Sequence, residues 1–189
     1  MAIGNYKLVE KGIRIEFFQD DYNPRKKMEN LTKMVCFYPP YNLGDDHDYY
    51  KSDYNTWEEL AQAILSSENV LLLKPLYVYD HSSITISTTS FTYPWDSGQI
   101  GWIYITKEQA ERMRTPPDKF EEVMENEIKM YNTYLARNIY GLNIYEDGEL
   151  IDSCGGFVGD NPHTNGMLEY IDKKYHVFFE GVDSISEVI

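Results

Sequence analysis

The sequence predicts an α+β fold: a central antiparallel sheet with a long helix, about 117–138, packed on one face. Three observations carry this expectation. Several segments have strand length and strand patterning, among them "GIRIEFFQDD" (12–21), "ITISTT" (84–89) and "IGWIYI" (100–105), and apolar residues recurring at every second position mark a half-buried strand. Asp147-Gly148 sits between two such segments, and an Asp-Gly pair in that setting is a strong hairpin signal. Strands and helices also come in blocks rather than in strict alternation, which argues against a parallel α/β sheet.

Each element has its own justification. In 12–21, Ile13, Ile15 and Phe17 share one face and Arg14 and Glu16 the other. "NPRKK" (23–27) reads as a basic turn. "TKMVCFYPP" (32–40) reads as a second strand, ended by Pro39 and Pro40, with Cys36 buried inside it as an inert thiol. A long polar loop follows, "YNLGDDHDYYKSDYN" (41–55). Thr56 with Glu59 reads as a capping box, opening a helix whose apolar face holds Trp57, Leu60, Ala61, Ile64 and Leu65. "NVLLLKPLYVYDH" (69–81) is nearly continuous apolar sequence and reads as a strand buried on both faces, with a bulge or an edge at Pro75. Thr106 and Gln109 form a second capping box, for a short helix to about Arg114. Thr115-Pro116 is expected to cap the long helix. Residues 139–157 read as the hairpin and 166–175 as a last helix.

Length and composition narrow the function. The 189 residues are read as a single domain, 1–189. Seventeen basic residues against 31 acidic ones give a net charge of −14, a field that repels nucleic acid and acidic membranes and attracts basic surfaces. Neither cysteine belongs to a CxxC pair, so no zinc site of usual spacing is implied, and no cofactor. No apolar run reaches the length of a membrane span, and "MAIGNYKLVEKG" carries no apolar signal segment. A cytoplasmic protein with free thiols is expected, and nothing in the sequence bears on oligomeric state.

Four places could carry chemistry or contact. "YPWDSGQIGWIYI" (93–105) has the composition of a structural turn, with Trp95 a large buried ring and Gly98 at positive φ; Trp95 and Trp102 can pack on either side of the sheet. The alternative makes His81, Trp95, Asp96 and Trp102 a ligand site in which the aromatics stack a base. If 84–89 and 100–105 are neighbouring strands, Asp80-His81 and the Trp95 turn fall at opposite ends of the first, which argues against a His81–Ser97 dyad. "DDHDYY" (45–50) is open to three readings: a solvated loop, a metal site of three carboxylates and His47, or a contact patch of Asp45, Asp46, Asp48, Tyr49 and Tyr50 for a basic partner. On the long helix Glu121, Glu122 and Glu125 point outward and join the loop as expected contacts for the basic partner, whereas Glu127 falls on the apolar face, where a carboxylate needs a partner; a tyrosine hydroxyl or Arg14 is the expected one. Cys154 lies in a hairpin strand rather than at a helix N-terminus, so its pairing with His163 or His176 as a nucleophile is not expected.

The block "YVYDHSSITISTTSFTYPWDSGQIGWIYITKEQ", with Asp80-His81-Ser82, Ser87-Thr88, Phe91, Pro94 to Gln99 and Gly101, resembles a family of proteins carried by phages and mobile elements of bacteria. The resemblance extends to "YNLGDDHDY" and "YNTYLARNIYGLNIYEDGELIDSCGGF". The resemblance transfers no activity by itself; together with rows of Asp and Glu able to imitate the phosphate charges of DNA, it implies an anti-defence protein, of the anti-CRISPR or anti-restriction kind. The expected partner is a basic host protein that binds nucleic acid, met in the host cytoplasm. No direct contact with nucleic acid or membrane is expected. The other class of function left open is a nucleotide-binding or nucleotide-processing protein.

Overall fold

A computed structural model describes residues 8–10, 12–39 and 41–187. In chain order the strands are β1 (Leu8–Glu10), β2 (Ile13–Gln19), β3 (Thr32–Cys36), β4 (Val70–Asp80), β5 (Ile84–Ser87), β6 (Ser97–Thr106), β7 (Ile139–Glu146) and β8 (Glu149–Val158). The helices are α1 (Pro24–Lys27), α2 (Trp57–Ser67), α3 (Lys107–Arg112), α4 (Phe120–Leu135) and α5 (Met167–Tyr170). The expected N-terminal reading over 1–7 and the strand end at Pro40 lie outside the described residues.

The fold is α+β with antiparallel sheets, as the patterning predicts, but there are two sheets rather than one central one. Their strand orders are β1-β2-β7-β8 and β3-β6-β4-β5. The chain, read from composition as one domain, divides into two compact units. One is built from both chain ends, Met1–Asn23 and Thr133–Ile189, and the other from the middle, Pro24–Asn132.

In the first unit, Ile15 and Phe17 of β2 pack with Leu142 and Ile144 of β7, because a period of two puts them on one face. Tyr175, Phe178 and Phe179 complete this core, and the Phe179 ring meets Phe17 edge-on at 5.6 Å. Arg14, on the opposite face, pairs with Glu16 and lies 3.9 Å from the Tyr145 ring centre, so the expected Arg14–Glu127 pairing is not made. The hairpin turn is as read: Asp147 and Gly148 both have positive φ, 49° and 89°, the geometry of a type I′ turn. Two register shifts interrupt β7–β8 pairing, between Tyr140 and Leu142 and between Ile144 and Tyr145; the extra residues fall on β8, the edge strand. The expected helix 166–175 is instead a single turn, α5, followed by a 3₁₀ segment, Lys173–Phe179, because Ile171 is extended.

In the second unit, β4, β5 and β6 share one antiparallel sheet, with β4 between the other two. Pro75 is tolerated inside β4 because β5 pairs only with Tyr77–Asp80, leaving the outer edge of β4 without a strand beside Pro75. The two faces of the sheet are covered differently. Thr32, Met34, Ile103 and Ile105 share one face by register. α4 lies there, since its Glu127 bonds Thr32 and its Asn132 exchanges hydrogen bonds with the Ile86 backbone at 2.8 and 2.9 Å. On the other face Leu60 and Ile64 of α2 pack on Val35 and Tyr104, with Trp102 and Leu73 beside them. Leu65, expected on that apolar face, is exposed.

The caps separate well. Thr106 and Gln109 form the full reciprocal box. Thr56 accepts from the Glu59 amide, but the Glu59 carboxylate turns to the Asn55 amide, 2.7 Å away. Thr115 caps nothing: Pro117–Lys119 is a 3₁₀ turn, and α4 runs from Phe120 to Leu135 rather than 117–138. Arg137 at positive φ follows its end.

Candidate functional site

The loop 45–50 and the basic turn 23–27 are joined by a buried ionic cluster. Arg25, read from sequence as part of a basic turn, is the most deeply placed charge in its unit, its side chain 1% exposed. It donates through Nε and Nη2 to Asp45, at 2.9 and 2.5 Å, through Nη1 to Glu127 at 3.0 Å, and through Nη2 to the Thr32 carbonyl at 2.7 Å. Burial opposes the charge on Arg25, and the hydrogen bonds and charges of Asp45 and Glu127 more than offset it, so its pKa is raised. Glu127 also accepts from the Leu31 and Thr32 amides, at 2.6 and 3.2 Å, and Asp45 from the Met34 amide at 2.8 Å. The need at Glu127 was legible, but the cation that meets it is Arg25 rather than Arg14. Asp45 is likewise corrected: it is a structural ligand of a buried guanidinium, not part of an exposed patch.

Of the rest of that loop, Asp46, Asp48 and Tyr50 turn outward, whereas His47 lies against Phe37 and Tyr49 packs on the α2 core. Asp46 is exposed and reaches Lys26 at 3.3 Å; Asp48 and Tyr50 are exposed; the Tyr49 hydroxyl bonds Ser67 at 2.8 Å. The three carboxylates therefore diverge. Among the described residues no group of three or more His, Cys, Asp or Glu is placed to hold a metal ion. Asp46, His47, Asp48 and Tyr49 line an open groove of about 710 Å³ with Lys33, Glu68, Tyr104 and Arg112. Its polar groups are largely committed to one another: Lys33 to Glu68 at 2.7 Å, and the Tyr104 hydroxyl to Glu68 at 2.9 Å.

Cys36 is buried at the end of β3, its sulfur beside Gly44. Burial pushes its thiol up to about 12. At pH 8 its thiolate is then on the order of a thousandfold scarcer than that of an ordinary cysteine. Iodoacetamide should alkylate Cys154 in the native protein and reach Cys36 only in denaturant, as peptide mass mapping would show. Rapid native labelling of Cys36 would contradict the burial argument. Cys154 is partly exposed on β8. Its neighbour is Tyr170, whose hydroxyl is raised first by a hydrogen bond with Cys154, and the described hydrogen bonds join it to neither His163 nor His176.

The second region is the Trp95 turn, and here three expectations are overturned. Trp95 is 95% exposed rather than buried. Gly98 does not have positive φ, and a Cβ there would meet nothing within 4 Å. His81 and Asp96, expected at opposite ends of a strand, are adjacent: Nδ1 and Oδ2 are 3.4 Å apart, and the Asp80 amide donates to the Asp96 carbonyl at 2.8 Å. The reason is topological. β6 lies beside β4, not β5, so Tyr79 pairs with Ser97 and the end of β4 meets the Trp95 turn. The Ser97 hydroxyl is held by the Tyr93 carbonyl at 2.6 Å, so it is not set against His81.

Around this point rings gather. Tyr79 lies 5.6 Å from Phe91, 6.0 Å from Tyr93 and 6.1 Å from His81, centre to centre. Tyr93 is 64% exposed. Of the four residues of the alternative ligand site, the structure brings together His81 and Asp96 beside Trp95; Trp102 is elsewhere, its indole donating to the Trp57 carbonyl at 2.9 Å against α2. The sequence reading offered tyrosines near Trp95 as stacking rings but did not single out Tyr79 or Phe91, although Phe91, Tyr93 and Trp95, three aromatics at spacings of two about Pro94, were a usable signal. Since Trp95 is in solvent, Trp95→Ala should change stability by no more than about 0.5 kcal/mol. Chemical denaturation would check this, and a loss of several kcal/mol would put the ring back in a core.

No protein-family model, curated protein or solved structure matches this chain. Among the described residues no helix is long and apolar enough to cross a membrane.

Proposed function

We propose that this is an acidic interaction protein that inhibits a nucleic-acid-binding defence enzyme, of the anti-CRISPR or anti-restriction kind, by occupying its basic nucleic-acid channel. The observation that carries the reading is the net charge of −14 together with exposed carboxylates on α4, Glu121, Glu122 and Glu125, and on the loop, Asp46 and Asp48. Separated carboxylates on a rigid helix offer the kind of charge array that a phosphate-binding channel accepts. Asp45 is not part of that array. Several members are lightly tied, Glu121 to Lys74 at 3.1 Å and Glu122 to Lys119 at 2.7 Å, and exposed pairs of this kind exchange readily because they are worth little.

The test is DNA cleavage by a panel of guide-loaded Cas effectors and restriction endonucleases, with and without the protein, at rising salt. At least one enzyme should be inhibited, and less so as salt rises. Reversal of Asp46, Asp48, Glu121, Glu122 and Glu125 to lysine should abolish inhibition while the melting curve stays cooperative. Inhibition that survives the reversal would sink the channel mechanism.

Exposed Trp95 beside His81 and Asp96 favours a second reading, a nucleoside or nucleotide stacked on that turn. A specific ligand raises Tm by mass action, so a thermal-shift panel of nucleotides decides it; no shift with any of them removes this reading.

A further inference from the structure

We propose that the aromatic end of the β3-β6-β4-β5 sheet, formed by Tyr79, Phe91, Tyr93 and Trp95 with the His81–Asp96 pair at its rim, is a docking surface for an arginine-bearing segment of a basic protein. The proposal deepens the reading above by naming where the partner's cation is held.

Coverage of the sheet comes first. Tyr77 and Tyr79 continue the face that carries Leu73, by alternation along β4. α2 packs on that face around Val35, Phe37, Val70, Leu73, Trp102 and Tyr104. Beyond it the covering groups are Phe91 and Tyr93 from the loop, and these leave Tyr93 and Trp95 in water. Exposed tryptophan and tyrosine beside one another are what binding hot spots are built from.

Charge selects the occupant. At four rings elsewhere the chain supplies its own cation: Arg14 over Tyr145 at 3.9 Å, Lys174 over Tyr175 at 4.6 Å, Lys51 over Trp57 at 4.9 Å and Lys33 by Tyr104 at 6.0 Å. Among the described residues none is so placed over Tyr79, Phe91, Tyr93 or Trp95. The sequence explains this, since Pro75 to Thr106 contains no lysine or arginine. The carboxylate at the rim is Asp96, and it is exposed. Open π faces attract a cation through the ring quadrupole, and a planar guanidinium can stack on a ring while donating in fork fashion to a carboxylate. With no lysine or arginine in this segment, a nucleotide here would be held through its stacked base rather than its phosphate.

The experiment is an NMR titration of the isotopically labelled protein with a short acetylated Gly-Arg-Gly-Arg-Gly amide. The control peptide carries citrulline, which keeps the shape and loses the charge. Saturable shifts should centre on the Trp95 indole and on Tyr79, Tyr93 and His81. Citrulline should bind at least tenfold more weakly, and Trp95→Ala with Tyr93→Ala should weaken the arginine peptide by a similar factor. Equal binding of the citrulline peptide, shifts centred on α4, no saturable shift, or stronger shifts of the same resonances by adenosine monophosphate would each overturn the proposal. The two proposals fail separately. Lysine reversals on α4 and the loop test the channel reading in the cleavage assay and leave the Trp95 turn intact. The titration needs no enzyme, so arginine binding at the turn can stand if no nuclease is inhibited.

Discussion

Arg25→Ala is expected to destabilise the unit Pro24–Asn132 by about 3–5 kcal/mol, the range for breaking a buried ion pair from one side. The reason is what remains. Asp45 and Glu127 would stay partly buried with no guanidinium between them, and the bond to the Thr32 carbonyl would be lost as well. Arg25→Lys should fall short of rescue, because one ammonium cannot reproduce a fork that serves two carboxylates, a carbonyl and the Thr32 hydroxyl. Glu127→Gln should cost less, about 1–2 kcal/mol: its amide oxygen can still accept from Leu31, and Asp45 still holds Arg25. All three tryptophans, Trp57, Trp95 and Trp102, lie within this unit, so tryptophan fluorescence in a urea titration reports on it directly. A loss under about 1 kcal/mol for Arg25→Ala, at unchanged urea slope, would show that water replaces the guanidinium and that the cluster is dispensable.

Gly101→Ala should be the most damaging single methyl group that can be added to the same sheet. A Cβ at 101 would fall inside the Val35 carbonyl oxygen and against the Cys36 backbone. Backbone cannot step aside as a side chain can, so β3 must move off β6 at the Cys36–Gly101 pair. The 2.7 Å bond from the Phe37 amide to the Ile100 carbonyl sits at that point. A loss at the upper end of the overpacking range, about 3 kcal/mol, is expected. Two readouts follow: faster hydrogen exchange at Phe37, and native alkylation of Cys36 once its cover opens. The control is Gly98→Ala in the same strand, where the space is open and the change should be within about 0.5 kcal/mol. Equal effects at 98 and 101 would mean that general strand propensity, not the close approach, sets the cost.

What the sequence made legible was whatever depends on neighbours along the chain. Alternation in 12–21 and 84–89, the Asp147-Gly148 turn and the Thr106–Gln109 box all appear as read. What failed depends on partners far away. Glu127 announced that it needed a cation, but nothing local distinguishes Arg25 from Lys26 or Lys27. The division into two sheets follows from β2 pairing with β7 across the whole middle of the chain, which no local period encodes. The distance between His81 and Asp96 was misjudged through one strand neighbour, β5 assumed where β4 stands. Trp95 was assigned to a core because large rings usually are, although Pro94, Asp96, Ser97 and Gly98 around it already had the character of a surface turn.

That the sequence of one unit interrupts the sequence of the other has a consequence for how the protein is made. β2 emerges from the ribosome early, and its partner β7 is translated only after all of Pro24–Asn132. At about 5–20 residues per second, that leaves Ile15 and Phe17 without their strand partner for several seconds or more. The middle unit has every one of its strands in hand once Asn132 is out, so it can close first and bring residues 23 and 133 into fixed positions. Ribosome-stalled chains ending near residue 170 should then resist protease across 24–132 while remaining cleavable in 12–23, an order in which a strand made before the middle unit finds its place only after it.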